Sequence, residues 1–267
     1  MINGIRRWLP WVVAGFVSLA LLGTGWCLAA PFFQRPTESV IPLQVVATYP
    51  HDPKAFTQGL IVSGDHLLEG TGHYGESTLR ETELATGRIL RGVTLNEAYF
   101  GEGIAQHGNR IYQLTWKERT ALIYDAETLA YVDSKRYSGE GWGLTSDGTH
   151  LILSDGSATL RFLNPETFDV VRRITVRGLR GNVDKLNELE FVRGEVLANV
   201  WYSDRIARID PEDGRLIGWL DGSQLFPRRF RDREQVLNGI AWDAQKGVLY
   251  LTGKNWPKLY AVKLPEL

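Results

Sequence analysis

A carboxylate, an ammonium and three indoles carry the chemical signal of this sequence. Glu102 lies in Phe100-Gly101-Glu102-Gly103, beside an aromatic ring. A carboxylate held against aromatic rings loses hydration, so its pKa is expected to climb toward neutrality. Such a group both takes and gives a proton near pH 7, which general acid–base work requires. Lys254, in Thr252-Gly253-Lys254-Asn255-Trp256, is the cation available to pair with it or with a developing oxyanion. Trp116, Trp142 and Trp201 supply the walls of an apolar cage.

The elements that must bring these residues together repeat along the chain. The segments Gln58-Gly59-Leu60, Glu102-Gly103-Ile104, Trp142-Gly143-Leu144, Asn187-Glu188-Leu189 and Asn238-Gly239-Ile240 begin 44, 40, 45 and 51 residues apart. Each is followed by an apolar strand, a turn and a second apolar strand. A period near 40 to 50 residues with short alternating strands marks a radially repeated all-β fold. Five units predict a five-bladed β-propeller. The fifth unit lacks a fourth strand, and an N-terminal strand over residues 43–48 (LQVVAT) is available to supply it and close the ring.

In such a ring the first slot, Gln58, Glu102, Trp142, Asn187 and Asn238, opens each innermost strand. A second slot at the end of each second strand is found by counting back nine residues from the outer turns. It holds Tyr74, Trp116, Asp155, Trp201 and Lys254. In an antiparallel pair, the start of one strand and the end of the next share an edge, so both rings face one mouth. Channel residues of propellers commonly do no more than hold water and join blades. Three Trp together with acids, amides and a lysine exceed that need.

Composition bounds the remaining possibilities. The chain has 267 residues, 43% of them hydrophobic, enough for a substantial core. The net charge of −1 argues against a nucleic-acid partner. Arg6 and Arg7 precede an uncharged stretch, residues 8–31, with Ala29 and Ala30 near its end. Residues 1–30 are therefore expected to be a secretory signal or, being long enough to span a bilayer, a membrane anchor. Residues 31–43 are expected to be a linker and 44–267 the propeller. The folded part is expected outside the cytoplasm, periplasmic or extracellular, possible attachment being through residues 8–30, and monomeric. Cys27 is the sole cysteine, so the folded part has no thiol nucleophile and no cysteine metal site.

Several motifs lead nowhere. Gly70, Gly72 and Gly75 fit GxGxxG, but strand rather than helix is expected to follow. The five His form no HxH or HExxH pair, and no GxSxG elbow is present. Residues 221–236, rich in Arg, lengthen the last step and read as a solvated loop or short helix.

The chain also resembles a known family, the plant and bacterial glutaminyl-peptide cyclotransferases. The resemblance rests on AFTQGL (55–60), YFGEGI (99–104), LTWKE (114–118), GEGWGLTSDG (139–148), LNELEF (186–191), NVWYSDRIARIDP (199–211), LNGIAWD (237–243) and LTGKNWPKLY (251–260). It implies a five-bladed propeller that converts the N-terminal Gln of peptides or proteins to pyroglutamate and releases ammonia, with no cofactor or metal. It also implies a pocket of Phe56, Gln58, Phe100, Glu102, Trp116, Trp142, Asn187, Trp201 and Lys254. Within it Glu102, Lys254 and Asn187 are expected to be catalytic and the other six to bind substrate. Two alternatives stand beside it. One is a Ca²⁺-dependent propeller hydrolase or lactonase using Glu102, Asn187, Asn238 and Asp155. The other is a binding propeller without catalysis.

Overall fold

The structure, a computed structural model, describes residues 37–264. The expectations for a signal, an anchor and the first part of the linker, residues 31–36, fall outside that range. Among the described residues no helix is long and apolar enough to cross a membrane.

Five four-stranded antiparallel sheets form the blades. Blade 1 runs from the channel outward as Thr57–Ser63, His66–Thr71, Thr78–Glu83 and Ile89–Thr94. Blade 2 is Gly101–His107, Arg110–Thr115, Thr120–Asp125 and Tyr131–Arg136. Blade 3 is Leu144–Ser146, Leu151–Ser154, Thr159–Leu163 and Val170–Thr175. Blade 4 is Leu186–Val192, Glu195–Val200, Arg205–Ile209 and Leu216–Asp221. Blade 5 has three strands of its own, Leu237–Asp243, Val248–Gly253 and Lys258–Lys263. Its fourth strand is Gln44–Pro50, antiparallel to the last, with Gln44 opposite Lys263. The ring is closed as the sequence predicts.

Burial follows from this geometry. Inner strands such as Gly101–His107 are almost wholly buried, whereas Ile89–Thr94 and Tyr131–Arg136 at the rim are exposed. The core is divided among the blade interfaces. Leu68, Leu79, Ile104 and Ile111 join blades 1 and 2. Leu114, Ala121, Leu144 and Leu153 join 2 and 3. Phe162, Ile174, Leu189 and Ile209 join 3 and 4, and Leu197, Leu220, Ile240 and Val262 join 4 and 5. Leu60, Tyr250 and Leu259 join 5 and 1. Each sheet thus buries its faces against both neighbours, the condition for a stable layered β fold.

One expectation is corrected. Part of the stretch read as linker is structured: Ser39–Pro42 adds a fifth strand to blade 4, parallel to Leu216–Asp221. Glu38 fixes it by accepting hydrogen bonds from Trp219 Nε1 (2.9 Å) and the Leu179 amide (2.6 Å). Pro42, its last residue, disguises so short a strand, although proline is tolerated in an edge strand. The segment therefore clamps blades 4 and 5 in succession.

Candidate active site

The first ring owes its inward aim to β-bulges. Pairing registers slip between Thr57 and Gly59, Gly101 and Ile104, Leu186 and Leu189, and Leu237 and Ile240. Gln58, Glu102, Asn187 and Asn238 sit at those slips, where a bulge re-aims a side chain out of the ladder. Gly143, which follows Trp142, is required by close approach: a Cβ there would overlap the Asn187 carbonyl of the next blade. A Cβ on Gly103 would press on the Leu144 amide in the same way. The repeated glycine of the motif is thus the contact that lets inner strands converge.

One pocket of about 230 Å³ opens at this mouth. That is several times the roughly 30 Å³ that one water occupies. Its lining contains all nine residues expected from the sequence: Phe56, Gln58, Phe100, Glu102, Trp116, Trp142, Asn187, Trp201 and Lys254. His73 and Glu234 line it as well. Glu234 belongs to the Arg-rich insertion, which contains a short 3-10 turn, Arg228–Phe230. Arg228 and Arg231 both bridge to Asp204, and Tyr202 Oη donates to Glu234 (2.6 Å).

The second ring holds in four blades and shifts in one. Trp116, Asp155, Trp201 and Lys254 directly follow their second strands. In blade 1 the corresponding residue is Gly72, whose amide donates to Phe56 O as that of Trp116 donates to Phe100 O. Residues 72–77 join strands two and three of blade 1, against 116–119 in blade 2, so counting from the outer turn lands on Tyr74. A side chain at Gly72 would run into the Phe100 ring, which fills that space instead. Tyr74 lies half exposed outside the pocket, its hydroxyl donating to Glu118 (2.9 Å).

The aromatic wall is a chain of edge contacts. Phe56 meets Phe100 at 6.2 Å between centroids, Phe100 meets Trp116 at 5.6 Å, and Trp142 meets Trp201 at 5.4 Å. Behind it Trp201 stacks on Tyr202 at 4.4 Å. Lys254 Nζ stands 4.5 Å from the Phe56 ring centre, a cation–π distance.

Glu102 is 5% exposed and Lys254 is 6% exposed. No salt bridge joins them among the described residues. Desolvation pushes the Glu102 carboxyl well above the usual range; Lys254 opposes this, and the charges of Glu140 and Glu118 add to it. Desolvation likewise lowers Lys254 to about 8, against the pull of Glu102 and Glu234. A carboxyl raised and an amine lowered in one dry pocket are groups able to exchange protons near neutrality.

The amides divide. Asn238 Nδ2 donates to Thr57 O (2.9 Å) and to Gln58 Oε1 (3.3 Å), so Asn238 orients Gln58 from outside the lining. Asn187 Oδ1 is buried without a protein donor among the described residues, an acceptor open to a bound molecule. Two of the four residues of the Ca²⁺ reading, Asp155 and Asn238, lie outside the pocket lining, and the Asp155 carboxylate pairs with Arg161 (3.4 Å) and Ser157.

Comparison with known proteins decides the family. A family model described as glutamine cyclotransferase matches residues 18–264. This chain belongs to the glutamine cyclotransferase family. It is 45% identical over 229 residues to a glutaminyl-peptide cyclotransferase of Arabidopsis thaliana, covering 84% of this chain and 72% of the relative. Its structure is similar to the crystal structure of Myxococcus xanthus glutaminyl cyclase, with a TM-score of 0.79 and 36% identity. That match covers 85% of this chain and 98% of the other. The sequence resemblance and the propeller count agree with these relatives.

Proposed function

We propose that this glutamine cyclotransferase converts the N-terminal Gln of peptides or proteins to pyroglutamate and releases ammonia, with Glu102 as general acid–base and no metal. The observation that carries the reading is a buried carboxylate, without a salt-bridge partner among the described residues, sharing an aromatic-walled pocket with a lysine. The reaction is acyl transfer within the substrate. The neutral α-amine attacks the side-chain amide carbon, forming a C–N bond. Glu102 accepts the proton that the amine sheds. The tetrahedral centre collapses, the C–N bond to the amide nitrogen breaks, and Glu102 returns the proton to the departing ammonia. Atoms balance without water.

The other residues serve this path. Lys254 donates to the amide oxygen as it gains negative charge. Asn187 presents its free oxygen to a substrate N–H, and Gln58, held by Asn238, meets the peptide end. Phe56, Phe100, Trp116, Trp142 and Trp201 enclose the Gln side chain and favour the folded conformer in which amine meets amide, an orientation effect. The uncharged stretch at residues 8–31 supports an exported enzyme acting outside the cytoplasm, the stretch serving as secretory signal or membrane anchor.

The test is ammonia release from Gln-Ala and longer Gln-peptides by the purified protein, with pyroglutamate identified as product. Activity is expected to persist in EDTA. Failure to release ammonia would overturn the reading in favour of a binding propeller. Activity lost to EDTA and restored by Ca²⁺ would overturn its metal independence.

A further inference from the structure

A carboxylate outside the pocket lining controls two of its walls. Glu140 lies in the loop between the last strand of blade 2 and the first of blade 3. Its Oε2 accepts hydrogen bonds from both Trp116 Nε1 (2.8 Å) and Trp142 Nε1 (2.9 Å). Trp116 belongs to blade 2 and Trp142 opens blade 3, so one oxygen spans the seam between blades. The loop itself is pinned from behind. Arg161, only 5% exposed, donates through Nη2 to the Glu140 carbonyl (2.9 Å) and through Nη1 to the Ser138 carbonyl. Asp155 in turn bridges to Arg161.

We propose that Glu140 is the positioning residue of this pocket, holding the indoles of Trp116 and Trp142 in a fixed relation while touching no substrate. The proposal rests on reading the pocket as the cyclisation site. Hydrogen bonds to an ionised acceptor are about twice as strong as neutral ones, so a shared carboxylate oxygen fixes both rings. Trp142 passes the constraint on to Trp201 through their edge contact. Three of the five enclosing aromatics therefore depend on one side chain. The arrangement also gives Asp155 a task, as support for Arg161.

A second consequence is electrostatic. The charges that bear on Glu102 are Lys254, Glu140 and Glu118. Lys254 favours the ionised form of Glu102, whereas Glu140 and Glu118 favour the protonated form. Replacing Glu140 by a neutral residue should therefore ease ionisation of Glu102 and move the acidic limb of the rate profile to lower pH.

Wild type, Glu140→Ala and Glu140→Gln separate these roles. Each is characterised by thermal melting, near-UV circular dichroism and steady-state kinetics on Gln-peptides across pH. Glu140→Ala is expected to melt cooperatively, to lose part of the aromatic dichroism, and to fall about a hundredfold in kcat/KM, mainly through KM. That is the loss typical when a supporting contact goes and reacting groups shift by ~1 Å. Glu140→Gln keeps a carbonyl oxygen for both indoles. It is expected to restore the dichroism and KM while retaining the shifted acidic limb. A folded Glu140→Ala with wild-type dichroism and KM overturns the proposal, and so does a Gln variant no better than Ala. Should Ala not fold, a Gln variant with wild-type KM and a lowered acidic limb supports the proposal; an unmoved limb overturns its electrostatic part. If wild type releases no ammonia, the cyclisation reading fails. The dichroism of the two variants still decides whether Glu140 holds the indoles.

Discussion

Glu69 and Glu102 are both buried glutamates on neighbouring blades, and they have opposite chemistry. Glu69, 1% exposed, accepts two hydrogen bonds from Arg80 (3.0 and 2.8 Å), one from Thr57 Oγ1 (2.7 Å) and meets His51 Nε2 at 3.0 Å. Burial alone would raise its pKa, but His51 and Arg80 outweigh that and hold it at about 2. Glu102 has the same burial without such partners, and desolvation prevails. A buried carboxylate becomes a clamp or a proton carrier according to whether the fold supplies a cation at contact distance. Around Glu69, His51 comes from the turn after the closing strand while Arg80 and Thr57 come from blade 1, so the clamp ties the ring closure to blade 1. Around Glu102 the close cation among the described residues is Lys254, which leans on Phe56 instead.

The strongest way to break the comparison is to remove the proton carrier. Glu102→Gln preserves shape but not proton transfer, and it should lower kcat by ~10²–10⁴, the usual contribution of a general acid–base. Its melting temperature at pH 6 should not fall. Single-turnover measurement of ammonia release checks this, and near-normal turnover would remove Glu102 from the chemistry. The matching change at the clamp should act on the fold. Glu69→Gln strands Arg80 and His51 and should cost about 3–5 kcal/mol of stability by urea unfolding. The low end is expected, because Asp52 still bridges Arg80 at 2.9 Å. Turnover of the folded fraction should stay close to wild type. A stable Glu69→Gln would mean that the cluster holds nothing together.

Lys254→Met asks whether the pocket's cation is more than a solvation partner for Glu102. Loss of a donor to the developing oxyanion typically costs 10²–10³ in kcat, on the order of 3–4 kcal/mol. A fall confined to KM would instead assign Lys254 to substrate binding alone.

How much of this contrast could be seen in the sequence depends on whether a residue lies in a repeated position. The ring slots are legible because a glycine follows four of the five, and it recurs because inner strands approach so closely that Gly143 admits no Cβ. Closure by an N-terminal strand was legible from a missing fourth strand. Tyr74 was misplaced because the hairpin of blade 1 is longer than its counterparts, and counting assumes equal loops. His73, inside that hairpin, was missed for the same reason. Glu140 and Glu234 sit between repeats, where no period points. Glu69 falls on an ordinary second-strand position, and its partners His51 and Arg80 lie in separate segments that only the closed ring assembles. The strand at Ser39–Pro42 was hidden because its pairing partner, Leu216–Asp221, is almost the whole domain away.

The smallest predicted effect is also the most discriminating, because it reads both carboxylates through stability alone. Glu69 has a folded pKa of about 2, below the 4.5 usual for a glutamate. The folded state therefore binds fewer protons there, so its stabilisation is complete above about pH 4.5 and is lost as pH falls toward 2. Glu102 is shifted the other way. Its folded state retains a proton that the unfolded chain gives up, so stability falls as pH rises from the ordinary carboxylate range toward the raised folded pKa. Glu102→Gln removes that penalty. The variant should melt higher than wild type at pH 8 and indistinguishably from it at pH 4, while Glu69→Gln should show its full deficit at pH 8 and a shrinking one below pH 4. A Glu102→Gln that gains nothing at pH 8 would mean the carboxylate is ionised and solvated in the empty pocket. Proton transfer would then require a substrate to dry the site first.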